Sequence, residues 1–167
     1  MVLSLTGVLL AAFVPTFLKQ VHTTKLAEAT ERLAALHRHA AIYYEREQPV
    51  AVGPRRDCLP ESAGPYPAEP SVEPVSVDFQ ADTAGAATWR ALGQSEPSLL
   101  RYSYEVSTPG PGCGLQKTRP TITFRAHGDL DGDGTQSILE RTSAAGDGAA
   151  QHTLVPLGPL RILSRVE

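Results

Sequence analysis

The chain opens on an apolar run, VLSLTGVLLAAFVPTFL over residues 2–18, that contains no charged residue. Beyond Lys19 the pattern becomes periodic. Leu26, Ala29, Leu33, Leu36, Ala40 and Tyr43 recur at spacings of three and four, which places them on one stripe of a helix. Between them Lys25, Glu28, Glu31, Arg32 and Arg38 predict a solvated face, with pairs such as Glu28 and Arg32 at helical i,i+4 spacing. Pro49 ends the pattern, because the residue before a proline disfavours helical geometry. The reading is one helix from the apolar start to about Glu47, kinked or locally melted at Pro15.

Period-two alternation takes over further on. Val75–Phe79, the run Leu100, Tyr102, Tyr104, Val106, the run Ile122, Phe124, Ala126, and Ile138–Thr142 predict four strands. Thr153–Leu157 and Leu160–Val166 predict two short ones, weakened by Pro156 and Pro159. TWRALG, residues 88–93, predicts one helical turn with Trp89 as the large core anchor, and Ala144–Ala150 reads as a loop. The expected fold is α+β: a long N-terminal helix over residues 1–47, packed on a small antiparallel β-sheet head over residues 48–167.

Composition refines this picture in two places. Seven of the 14 prolines lie between Pro49 and Pro74, so that stretch is expected to be coil. The two cysteines, Cys58 and Cys113, lie in Pro/Gly-rich sequence without a CxxC partner. One disulfide between them, implying an oxidising compartment, competes with two unpaired thiols in a reducing one. A net charge of -3 offers no basic footprint for nucleic acid.

Candidate chemistry is confined to one segment. Asp129, Asp131, Asp133, Gly134 and Glu140 satisfy the calcium-loop template D-x-D-x-D-G-x5-E. Three alternate carboxylates converge on a hard cation when the chain curls around it, the Thr135 carbonyl contributes, and Glu140 closes the site bidentately. The flanks read as strands rather than helices, and Gln136 occupies the position where an apolar residue would pack under the loop. A metal-free hairpin turn is the competing reading, since D-G-D-G is itself a turn signal. If a cation binds, the three aspartates are the stronger candidates, and Glu140 can instead point outward from the following strand. His22, His37, His39, His127 and His152 form no cluster of metal-ligand spacing, and no nucleophile elbow, P-loop, H-E-x-x-H or dinucleotide fingerprint occurs. An enzyme reading therefore has no residues to rest on.

The run GVLLAAFVPTFLKQ, with Gly7 and Pro15, resembles the second half of the N-terminal helix of the type IV pilin and type II secretion pseudopilin family. TTKLAEATERLAALHRHAAIYYERE is similar to its continuation, and PESAGPYPA, TWRALG, RYSYEV and GDLDGDG follow in the order seen in a subgroup of pilin-like proteins. The resemblance implies a minor pilin-like structural subunit, anchored by its helix in the inner membrane with a periplasmic head. It further implies extraction into a helical filament at the cell surface or in the periplasm, through contacts with other subunits and an assembly machinery. Some relatives use calcium to fix a loop of the head, which bears on Asp129–Asp133 by analogy. The family's basic leader, its cleavage site and the Glu that follows are absent before Met1, so the chain reads as N-terminally truncated relative to the family. The alternative is a membrane-tethered periplasmic module that binds calcium or another ligand and does not polymerise.

Overall fold

A computed structural model of the chain describes residues 26–49, 53, 55–114 and 119–164. Helix α1 covers residues 26–45 of these. Eight strands follow: β1 (Ala63–Tyr66), β2 (Val75–Val77), β3 (Ser98–Leu100), β4 (Ser103–Ser107), β5 (Thr121–Gly128), β6 (Ser137–Ala145), β7 (Leu154–Pro156) and β8 (Arg161–Ser164), with helix α2 (Ala86–Ala91) between β2 and β3. The main sheet runs β1-β4-β5-β6-β7, and β8 also pairs with β6; β2 and β3 form a separate two-stranded sheet. All pairings are antiparallel.

This balance corrects the expected fold class. In place of a long N-terminal helix on a small sheet, the described residues are mostly antiparallel β-sheet, 33% strand, with one helix of seven or more residues among them. The discrepancy has two local sources. The Pro-rich stretch 49–74, read as coil, contains β1, which pairs with β4 across a register irregularity between Ala63 and Tyr66. The segment 144–150, read as a loop, starts inside the sheet: Ala144 lies opposite Thr121 and Val155, and Ala145 opposite Leu154. The predicted N-terminal extension of the helix and Pro15 lie outside the described residues.

Among the described residues no helix is long and apolar enough to cross a membrane. This overturns the single-pass inner-membrane location with a periplasmic head; the run 2–18 lies outside the described residues.

The core forms where α1 meets the inner face of the main sheet. Ala29, Leu33, Leu36, Ala40 and Tyr44 are buried along the helix, in one cluster with Tyr104, Val106, Ile122, Phe124 and Leu139 from the strands. The stripe ends on Tyr44 rather than Tyr43, and the Tyr44 hydroxyl donates to the Gln151 carbonyl at 3.3 Å. A second buried group surrounds α2. Trp89 and Leu92 are fully buried, the Trp89 ring lies 4.7 Å from Phe79, and its Nε1 donates to Asp82 Oδ2 at 2.7 Å.

Two charged residues assigned to the solvated face of α1 turn inward instead. Glu28 accepts from the Arg101 backbone at 2.8 Å and the Tyr104 hydroxyl at 3.4 Å, and its other oxygen meets Arg101 Nη1 at 3.5 Å. The Arg32 guanidinium lies 5.4 Å from the Phe79 ring centroid and 6.0 Å from that of Tyr104, a cation–π placement. Burial lowers the Arg32 pKa, opposed by Tyr104 and Glu28, while burial and the Glu28 carboxylate push the Tyr104 hydroxyl up.

Cys58 and Cys113 form a disulfide across 55 positions of sequence. It joins two irregular segments that also share an isolated bridge, in which the Leu59 N–H donates to the Gly112 carbonyl at 2.8 Å and the Gly112 N–H returns to Leu59 at 3.2 Å. The staple reaches α1 next door, where the Asp57 N–H donates to the Tyr44 carbonyl at 2.9 Å.

Candidate functional site

The turn between β5 and β6 gathers Asp129, Asp131 and Asp133, and their carboxylate oxygens lie within 4.8 Å of one another. The backbone builds this arrangement. Asp129 accepts from the Gly132 N–H at 2.8 Å through one oxygen and from the Gly134 N–H at 3.0 Å through the other. Asp131 accepts from the Asp133 N–H at 3.2 Å, and Asp133 from the Thr135 N–H at 2.6 Å. Such Asx bonds curl a chain tightly, and they require left-handed backbone at alternate positions. Gly132 and Gly134 supply it, with φ of 77° and 85°. Leu130, buried in the main core, pins the turn from beneath; it provides the apolar anchor that the sequence template places at position 136.

The proposed ligands do not all come together. Thr135, offered for its carbonyl, follows Asp133 and Gly134 at the end of the turn, and its N–H donates to Asp133. Glu140 sits on β6, nearly buried, directly opposite Arg125 on β5 and Arg161 on β8. Its oxygens meet Arg125 Nε at 2.9 Å and Arg161 Nη1 at 3.6 Å. Arg125 in turn reaches Glu105 on β4 at 3.5 Å, and His127 Nε2 reaches the same carboxylate at 3.3 Å. Glu105, Arg125, Glu140 and Arg161 thus alternate in sign across four strands on the outer face of the sheet. Opposite charges facing one another across strands contribute roughly 0.2–1 kcal/mol each. This ladder gives Glu140 two cationic partners away from the aspartates.

What remains is a three-carboxylate turn. Calcium binds oxygens at about 2.3–2.6 Å, so two ligands on one ion stand at most about 5 Å apart. The spacing of the three aspartates satisfies that limit. The other positions of a six- to eight-oxygen shell fall to the turn's carbonyls and to water, which makes a shallow, exposed site.

Other polar groupings serve as braces. His37 Nδ1 lies 2.8 Å from Ser143 Oγ, but Ser143 is fully buried under α1. His152 Nδ1 lies 2.9 Å from the buried carboxylate of Asp57. These two pairs share no residue, so they do not make a serine–histidine–aspartate relay. A cleft of about 250 Å³ beside β1 is lined by Ser62, Gly64, Asp82, Gly85, Glu105 and Ser107. Its two carboxylates are engaged, Asp82 by Trp89 and Glu105 by Arg125 and His127. Sequence reasoning had no signal for these pairings: most join residues far apart in the chain, and Asp82 and Trp89, seven residues apart, meet across a turn between two short helical elements.

Comparison with known proteins finds no matching family model, curated relative or solved structure.

Proposed function

We propose that this chain is a structural subunit of the pilin and pseudopilin kind that works by assembling with other subunits rather than by catalysis. The observation that carries the reading is the seating of α1: one apolar stripe lies against the sheet, and the disulfide ties the loops at the helix end. The result is a helix seated on the sheet, with the uncharged run 2–18 preceding it in sequence. In this reading that run is the assembly segment, in contact with the same run of other subunits, and the sheet makes the lateral contacts. The sequence resemblance of GVLLAAFVPTFLKQ and the ordered head motifs supports the same reading.

The test compares the full chain with one lacking residues 1–24, by sedimentation and electron microscopy. The expected result is a multi-copy assembly for the full chain and a soluble monomer for the shortened one. A full chain that stays monomeric at high concentration would sink the proposal, as would a shortened chain that still assembles.

A second reading, a binding module that does not polymerise, is favoured by the turn at Asp129, Asp131 and Asp133. In either reading we propose that the turn takes calcium. With only three carboxylates the affinity is expected at about 10⁻⁴–10⁻³ M, the weak end of the range for protein calcium sites. At about ten times a dissociation constant of this size, ligand linkage adds about 1.4 kcal/mol, or roughly 3–6 °C in melting temperature for a chain of this length. Differential scanning fluorimetry should show that rise with calcium, its loss with chelator, and its abolition in Asp131→Asn. Identical melting curves with calcium and with chelator would leave the turn metal-free.

A further inference from the structure

The seam between α1 and β6 contains an imidazole in an unusual electrostatic setting. His37 is half-buried there, its Nδ1 sharing a hydrogen bond with the fully buried Ser143 hydroxyl at 2.8 Å. Among the described residues the charged groups that act on it are both cationic: Arg141, two residues from Ser143 on the same face of β6, and Arg38, its neighbour on α1. The helix positions one turn away in either direction, Leu33, Ala34, Ala40 and Ala41, carry no charge. Across the sheet, Arg141 lies opposite Phe124, while Ser143 lies opposite Ile122 on β5 and Pro156 on β7. None of these facing positions offers a carboxylate to receive a proton-bearing ring. The contrast with His127 and His152, which face Glu105 and Asp57, is direct.

We propose that the His37 seam is an acid-responsive latch between α1 and the sheet, closed while the ring is neutral and loosened once it is protonated in a half-buried seam whose neighbouring charges are cationic. The hydrogen bond to Ser143 alone does not decide the matter, because a hydroxyl both donates and accepts. The charge does. An imidazolium here loses hydration on burial and faces Arg141 and Arg38 without compensation, and burial and these two arginines, in that order, lower the pKa of His37. A histidine whose folded-state pKa is depressed binds fewer protons folded than unfolded. Its contribution to stability is therefore complete above the unfolded value of about 6.5 and is lost as pH falls from there through the folded value. Because the ring sits on the helix and its hydroxyl partner on β6, the strain falls on the seam, where the helical stripe meets the core.

The test uses the full chain. Imidazole titration by NMR is combined with amide hydrogen exchange over residues 33–41, corrected for intrinsic rates, at about pH 7.5 and about pH 5, which bracket the ordinary histidine range. Protection in that segment is expected to fall several-fold in the wild type at the lower pH. The fall should be absent in His37→Asn and reduced in Arg141→Met, which removes the nearer sheet cation while keeping its apolar stem. Equal losses of protection in wild type and His37→Asn would overturn the proposal. So would a His37 ring that titrates at or above the ordinary value with no change in the helix. If His37→Asn does not fold, the wild-type titration and Arg141→Met decide: an acid-induced loss of protection undiminished by the arginine change overturns the latch.

Discussion

Cys113→Ser is expected to lower the unfolding free energy by about 4 kcal/mol, the loop-closure value for a cross-link spanning this length of chain. The bridge closes 55 positions of sequence. The segments it joins, around Leu59 and Gly112, are linked to each other otherwise by the one isolated bridge and by the Gly114 N–H donating to Arg56 and Asp57 carbonyls at 3.1 and 3.2 Å. Beyond them the Ser62–Thr108 hydrogen bonds lead into the β1–β4 pairing, so the folded segments are already held together and the covalent link acts chiefly by restricting the unfolded chain. Cys58→Ser and reduction of the wild type should each give a loss of the same size, and Cys58→Ser/Cys113→Ser should add little further. Urea unfolding under non-reducing conditions checks this. The midpoint should drop while the denaturant slope rises modestly, because a chain freed of its cross-link expands further on unfolding. A loss below about 1 kcal/mol would mean that the denatured chain is already compact across this loop.

The parts of the fold that were legible in sequence are those where one physical signal dominates. The helical stripe is such a case: Ala29, Leu33, Leu36 and Ala40 are all buried. The alternation in β5 is another, with Ile122, Phe124 and Ala126 facing in and Thr123 and Arg125 facing out. Legibility fails where tertiary contacts override local pattern. The run Leu100 to Val106 reads as one strand, yet Leu100 pairs with Val75 in the two-stranded sheet, and Tyr104 and Val106 pair in the main one. Alternation alone cannot report that the chain changes partners between them. β1, Ala63–Tyr66, holds one proline and one glycine, with Pro67 directly after it, and has no strand signature, but it lies along the free edge of β4, where missing donors are tolerated. Ala144 and Ala145 carry almost no propensity for a strand and gain their place from burial against β7.

The candidate site divides along the same line. The turn itself was readable, since Asx bonding and left-handed glycines act within six residues. Glu140 was readable only as an alternative, pointing outward from the following strand; its partners were not, because they are Arg125, fifteen residues earlier, and Arg161, which arrives by a separate strand. Template spacing placed it as a closing ligand, and sheet register instead sets it between two guanidinium groups. Glu28 and Arg32 make the complementary point on the helix. Charge predicted exposure for both, whereas the backbone amide of Arg101 and the rings of Phe79 and Tyr104 give them partners indoors. A buried charge persists where its hydrogen bonds and countercharges are in place, and those cannot be seen from a helical wheel.

Trp89→Ala is expected to cost about 3–5 kcal/mol, in the range for removing a fully buried aromatic side chain. The residue was the one large anchor that sequence pointed to, and the structure gives the reasons for the size of its effect. Its ring is fully buried and packs 4.7 Å from Phe79, itself in contact with Tyr66, Tyr104 and the Arg32 guanidinium. Emptying that volume therefore loosens the α2 corner and the N-terminal half of the α1 seat together. The indole also holds Asp82, whose carboxylate receives Nε1 at 2.7 Å. Trp89→Phe separates the two contributions: most of the apolar volume stays, the charge-assisted hydrogen bond goes, and a loss of about 1.5–3 kcal/mol is expected. In Asp82→Asn the indole keeps an acceptor in the side-chain carbonyl, so a smaller loss than for Trp89→Phe is expected. Urea midpoints for the three variants order them, with Trp89→Ala lowest. If Trp89→Phe fell as far as Trp89→Ala, the hydrogen bond to Asp82 rather than the packing would be what seats α2 on the sheet.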